Sequence, residues 1–411
     1  MGRPWYAIYL RSRSNDTEGF FREGQVFMHA RHHWLPLAGL LALAAGAAGC
    51  GGSSIAQPRL SSGGPGISQK QLIPLPNMPA GSTFTYDIGT VDAAARNYYL
   101  ADRKNSSLDI INLTSLAVRQ VGGFSGQKAS NNNSGPDGIA FVPGGAVYVG
   151  DVNVVKVVDP VAGAVTATIA TGTAGLRTDE GCYDPDDHLM MFANPADTPP
   201  YVSVISTTTN TVIGKLLFTG SIGLEACVYD PGTKTFFLNN DGTIANPAGE
   251  LDTILATTAA AGAPVIAQRF PEGNCGPAGI DLGPSENLIV GCDAPAGDPQ
   301  ITLIMSATSG AIVKTITQVG GEDEVAYDPK LNHYYTASRD MTASGTSVTG
   351  QTGAVFTPVL GVIDASTNTW LGNFPTGANA HSVAADSATG NVFVPESPTA
   401  TAAGGVQLFG P

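Results

Sequence analysis

"GGEDEVAYDPKLNHYYTASRD", Gly320 to Asp340, is the stretch on which the fold turns. Apolar residues lead into an Asp-Pro turn and "HYYTA" leads out of it, so the segment reads as a β-hairpin preceded by three carboxylates. The same hairpin recurs as "YDIGTVDAAARNYYLADR" (86–103), "DGIAFVPGGAVYVGD" (137–151), "DEGCYDPDDHLMMFAN" (179–194) and "EACVYDPGTKTFFLNN" (225–240). "AGIDLGPSENLIVGCD" (278–293) and "HSVAADSATGNVFVPE" (381–396) bring the total to seven. The turn positions Asp92, Val142, Asp184, Asp230, Gly283, Asp328 and Asp386 stand 42 to 58 residues apart.

Two further strand-like runs follow each hairpin, as in "VVKVVDPVAGAVTATIATG" (154–172). A four-stranded sheet of this size cannot bury its own faces, so neighbouring sheets must stack around an axis. The expected fold is all-β, a seven-bladed β-propeller with four-stranded blades over residues 70–411. The last repeat has strands near 382–385, 391–395 and 405–409, then ends. "KQLIPLPN" (70–77) is expected to complete that blade and close the ring, removing an exposed edge.

Charged residues make up only 13% of the chain, and Gly (51) and Pro (28) are abundant, as turn-rich β structure requires. The formal charge of −14 argues against a phosphate-tracking nucleic-acid binder. "MHARHHWLPLAGLLALAAGAAGC" (28–50) has a basic start, a short apolar core and small residues before a cysteine. It resembles a bacterial lipoprotein signal, with Ala47 where Leu is usual and Cys50 as the lipid anchor. Met28 begins a complete signal by itself, so residues 1–27 read as dispensable. Residues 51–69, rich in Gly and Ser, read as a flexible tether. The implied setting is the periplasm or an outer-membrane anchor, with no nucleic-acid partner and a monomeric state. In that oxidising setting Cys275 and Cys292, near opposite ends of one hairpin, are expected to pair, and Cys182 and Cys227 on neighbouring blades can also pair.

Turns on one face, the bottom, are short, and their aspartates serve turn geometry. Links on the other face are long and rich in Pro, Gly and Asn, which marks the top as functional. Five residues before each hairpin turn position stand Asp87, Asp137, Asp179, Glu225, Ala278, Asp323 and His381, with Glu180 and Glu324 adjoining two of them. These should ring the top of the central channel. Closing the second strands, Arg103, Asn194, Asn240, Arg339 and Glu396 form an outer set suited to contacting a ligand. Crowded carboxylates raise one another's pKa or bind a cation, and the oxygen-rich set Asp137, Glu180, Glu225, Asp323 and Glu324 suits Ca²⁺. Arg103, Arg339 and His381 are the basic side chains that the pattern puts nearby, so neutralising Asp323 is expected to relieve repulsion. His381 or Asp179 is placed to act as a general base.

"GPDGIAFVPGGAVYVGDVNVVKVVDP" (135–160) and "ATIATG" (167–172) resemble the YVTN/YncE-like family of bacterial seven-bladed propellers. That resemblance implies fold and not activity. The architecture is also similar to gluconolactonase-type propellers, which hold a divalent metal at the axis through Glu, Asn and Asp. Their local motifs are not matched here. Three functions follow as expectations: a binder of a small polar ligand, with or without a divalent cation; a metal-dependent lactone or ester hydrolase; and an interaction scaffold of the cell envelope. Changing Cys50 to Ser should move the protein from the membrane fraction to the soluble one; retention in the membrane would disprove the anchor.

Overall fold

The computed structural model of the protein describes residues 65–83, 85–293, 300–339, 341 and 358–411. The leader, Cys50 and most of the tether fall outside these residues, as do parts of the two long loops at 293–300 and 340–358. Seven four-stranded antiparallel sheets form the ring. Their inner strands are Gly89–Asp92, Ile139–Phe141, Gly181–Asp184, Leu224–Asp230, Pro277–Leu282, Glu322–Asp328 and Ala384–Asp386. Helix is confined, among the described residues, to Ala256–Ala260 and two 3-10 turns.

The seventh sheet closes as expected. Ser68–Pro74 lies outermost against Gly405–Gly410, with Ser68 opposite Gly410 and Pro74 opposite Gly405. This strand starts at Ser68, two residues inside the stretch read as tether. The closing seam carries an ion pair between Arg96 and Asp386 at 2.8 Å. Ile73 from the first strand and Val406 from the last share one core with Tyr98 of blade one.

The hairpin turns behave as their sequence requires. Asp230 accepts from the Gly232 amide at 2.8 Å and Asp328 from the Lys330 amide at 2.8 Å, each holding its own turn. His188, Lys234 and Asn332 then take left-handed φ values of 53° to 56° that complete the reversal.

Aromatic doublets in the second strands hold the blades together. Successive residues of a strand face opposite sides, so Tyr334 packs into the interface with blade five and Tyr335 into that with blade seven. Phe236 and Phe237 divide in the same way between blades three and five, and Tyr98 and Tyr99 between blades seven and two. Truncating one such ring to alanine costs about 3–5 kcal/mol in a well-packed core. Two disulfides add covalent ties. Cys275–Cys292 joins the top of one hairpin with a Cα–Cα distance of 4.7 Å, and Cys182–Cys227 bridges blades three and four at 5.6 Å.

The hydroxyls of Tyr98 and Tyr334 are buried without a hydrogen-bond partner. A buried orphan hydroxyl costs on the order of 1–3 kcal/mol. Tyr98→Phe and Tyr334→Phe are therefore expected to raise the melting temperature, with a gain of about 1 kcal/mol each in denaturant titrations; a loss of stability would mean that these hydroxyls have partners in solution.

Candidate functional site at the propeller axis

Inner strands converge so closely that backbone meets backbone. A Cβ on Gly279 would stand 2.6 Å from the Asp323 carbonyl oxygen, and one on Gly138 would overlap the backbone of Asp179 and Glu180. Glycine at these two positions lets neighbouring blades bring their carboxylates together. The result is a polar plug at the top of the axis, built from residues that the repeat alignment places there.

The three consecutive carboxylates of the opening stretch go to three different places. Glu322 is fully buried between blades five and six, where the Thr302 hydroxyl donates to it and Ser338 donates at 3.5 Å. Burial pushes its pKa up to about 8. Asp323 turns into the plug, with Arg339 at 3.4 Å and His381 Nε2 at 3.9 Å. Burial opposes its charge, but Arg339, His381, Arg177 and Arg103 outweigh that and hold it below the ordinary carboxylate range. Glu324 lines, with Glu180, a chamber of about 410 Å³ below the plug, and burial raises both carboxyls well above the ordinary range.

Asp87, Asp137 and Asp179 gather on the other side of the axis, with one carboxylate oxygen from each lying within 4.8 Å of the others. This buried triad has the donor set and spacing to hold a metal ion. Of the five expected metal ligands only Asp137 belongs to it; Asp87, expected only as a ring position, and Asp179, expected as a base, complete it. Glu180 and Glu324 sit lower, Asp323 is engaged by Arg339, and burial, with the nearby charge of Asp241, raises the pKa of Glu225. Arg103 lies against the triad, 2.9 Å from Asp87 and in direct contact with Asp137. Arg177 holds Asp179 at 2.8 Å. Burial lifts Asp87 to about 6 against the pull of the Arg103 guanidinium. Oδ2 of Asp137 is buried with no hydrogen-bond partner.

The crowding expected from sequence is thus more compensated than the repeat pattern suggested. Arg177 is the missed residue. It precedes Asp179 in a connecting loop rather than at a repeated position, so alignment of the hairpins passes over it; its signal was a lone positive charge two residues from a ring carboxylate. Asp281 was missed because its blade carries Ala278 at the ring position, and it accepts from the amides of Leu282 and Tyr327 instead.

His381 is 4% exposed and stacks on Tyr86, with centroids 4.5 Å apart. Its Nδ1 lies 2.7 Å from the Asn379 carbonyl and so donates to it, leaving the Nε2 lone pair toward Asp323 in the neutral ring. Burial lowers its pKa, while Asp323 works the other way. Asn194 and Asn240 spend their amides inside their own blades, on Ser203 and Tyr201 and on Asp252 and Ser221. Glu396 is half-buried beside Gly377, apart from the plug. The outer set therefore divides, with Arg103 and Arg339 at the axis and the other three in blade-internal roles.

No protein-family model matches the chain, and no curated protein matches it in sequence. Among solved structures, it is similar to Kuenenia stuttgartiensis hydrazine synthase at 14% identity and a TM-score of 0.59, over 77% of this chain and 93% of that one. A chain of the mitotic checkpoint complex matches at 11% identity and TM-score 0.60, over 90% and 98%. U3-55K matches at 11% and 0.60, over 84% and 98%. At such identities the likeness shows the fold alone. The protein is a β-propeller.

The two neighbours Glu322 and Asp323 should respond oppositely to pH. Glu322 has a raised folded pKa, so its contribution is present below pH ~4 and is lost as pH rises through about 8. Asp323 has a depressed one, so its contribution is present above pH ~4 and is lost on acidification. Glu322→Gln is expected to flatten the fall in melting temperature between pH 5 and 9. Asp323→Asn is expected to lower stability at pH 7 by roughly 1–3 kcal/mol, opposite to simple relief of repulsion. Melting curves of both variants across pH check each sign.

Proposed function

We propose that this is an exported, lipid-anchored propeller of the bacterial cell envelope, YVTN/YncE-like, that binds a small polar ligand at the top of its axis. The observation that carries the reading is the pair Arg177 and Arg339. Each guanidinium is oriented by a carboxylate, yet the side chains keep 15% and 19% of their surface exposed. Oriented, partly exposed guanidinium groups among carboxylates supply both donors and acceptors in fixed geometry, which suits an oxygen-bearing ligand. The envelope setting rests on the leader sequence and Cys50, and the two disulfides are compatible with an oxidising compartment.

A metal-dependent lactone or ester hydrolase is the second reading, favoured by the Asp87–Asp137–Asp179 triad and the unpartnered oxygen of Asp137. Three carboxylates are a hard donor set, suited to Ca²⁺. They would hold the ion, which when bound would polarise a carbonyl. His381, neutral with its Nε2 lone pair inward, would be the base; Asp179 would then serve as a ligand.

Elemental analysis of the purified mature domain, a thermal-shift screen of sugars, amino acids and organic acids, and a lactone and ester hydrolysis assay with and without chelator separate the two. The binding reading expects hits that disappear in Arg177→Ala and Arg339→Ala, without turnover. Stoichiometric calcium with chelator-sensitive hydrolysis would move the hydrolase ahead.

A further inference from the structure

Blade four places two glutamates where other blades place neutral residues. In four blades the residue just past the outer strand donates its amide to the carbonyl that precedes the third strand: Thr171 to Asn153, Phe218 to Pro200, Glu272 to Gly249 and Thr376 to Pro358. These are equivalent backbone positions. Blade three fills its own with Phe218, part of a hydrophobic core, and blade four with Glu272. Likewise Glu250, directly opposite Asn240, stands where blade three has Tyr201 opposite Asn194 and blade six has Val359 opposite Ser338.

Glu272 is 1% exposed, yet neither of its carboxylate oxygens has a hydrogen-bond partner. Its side chain tucks against Gly249, where an added Cβ would stand 3.3 Å from Oε2. That aims it at the third strand, on which Glu250 and Asp252 share one face. Burial raises its pKa well above the ordinary range, and the nearby charges of Asp252, Glu250 and Asp241 add to the effect. Glu250 and Asp252 are fully buried as well. One oxygen of each is engaged, Glu250 Oε2 by Thr243 and Asn246 and Asp252 Oδ2 by Asn240. Glu250 Oε1 and Asp252 Oδ1 both lie 3.2 Å from Arg269 Nε, and neither makes a hydrogen bond. A single N–H cannot serve two carboxylates well. The Arg269 side chain is 55% exposed, so a loosely held cation stands beside four unsatisfied, buried carboxylate oxygens. Buried carboxylates in that state are costly.

We propose that this cluster is a Ca²⁺ site, in which the ion takes the place of the Arg269 guanidinium between Glu250 and Asp252, and Glu272 supplies the third carboxylate. The donors are hard oxygens with no Cys or His among them, which suits Ca²⁺ and not a metal that seeks thiolate or imidazole. Ca²⁺ takes about six to eight oxygens, of which the four unsatisfied ones supply half or more, with water and loop carbonyls completing the shell. Among the described residues only the axial triad gathers three carboxylate oxygens within 4.8 Å of one another. The blade-four carboxylates must therefore draw in around the ion, which the adaptable shell of Ca²⁺ permits and the strict octahedron of Mg²⁺ disfavours. Bound there, the ion ties the loop 241–249 to the link 272–276 that leads into blade five. The site shares no ligand with the axial triad and is independent of both readings above.

Calorimetric titration of the chelator-treated protein with CaCl₂, and with MgCl₂ for comparison, tests this. Wild type is expected to take up Ca²⁺ in preference to Mg²⁺ and to melt at a higher temperature once it is bound. Uptake should persist in Asp137→Asn, which disables the axial triad, and weaken by about tenfold or more in Glu272→Gln and in Glu250→Gln, the size expected for one lost charged contact. Arg269→Gln should bind Ca²⁺ more tightly, because the competing cation is gone. Glu272→Leu, which copies the apolar filling at Phe218, should fold, melt no lower than calcium-free wild type and gain nothing from CaCl₂. Absence of Ca²⁺ uptake, uptake lost in Asp137→Asn but kept in Glu272→Gln, or Arg269→Gln binding no more tightly than wild type would each overturn the proposal.

Discussion

Convergence of seven inner strands on one axis is the constraint from which the rest follows. Where Gly138 and Gly279 stand, any side chain would collide with the backbone of the next blade. This closeness carries the first residues of the inner strands into a space a few ångströms across. Polar side chains there lose water, and unpaired charge in such a place is expensive. The chain meets that cost in two ways: it brings in guanidinium groups, and it keeps some carboxyls protonated.

Both solutions appear within three residues. Asp323 is compensated by Arg339 and stays charged, whereas Glu322 and Glu324 have no cation beside them among the described residues and are driven toward their neutral forms. Strand alternation alone would send Glu322 and Glu324 to one side and Asp323 to the other. The register shift between Glu322 and Val325 breaks that alternation and gives each side chain its own surroundings. A bulge at the mouth of an inner strand thus sorts three like residues into a buried interface, an ion-paired plug and an open chamber. Equivalent shifts occur between Leu224 and Cys227 and between Pro277 and Ile280, so the device is repeated around the ring.

The plug and the lower chamber divide the axis into chemically different halves. Above, acids pair with arginines, of which Arg177 and Arg339 keep part of their surface exposed while Arg103 is buried. Below, the described residues supply carboxyls without bases. The Cys182–Cys227 disulfide lies in the chamber wall and fixes the spacing of blades three and four next to Glu180.

By itself the amino-acid sequence determined what depends on local period and spacing. The recurrence of one hairpin set the blade number, and Asp turns set five of the seven hairpins. The unmatched strand near residue 70 and the incomplete last repeat together implied ring closure. The ring positions Asp87, Asp137, Asp179 and Asp323 were legible for the same reason, because each occupies one place in a repeat. Tertiary structure decided which of them meet. Glu180 and Glu324 belong to blades three and six, and no repeat rule relates them. Arg177 lies in a loop between blades, outside the alignment, and its role exists only once the loop folds over Asp179. Asn194 and Asn240 fit the repeat pattern as well as Arg103 does, yet a short amide is satisfied within its own blade, while the longer guanidinium reaches the axis.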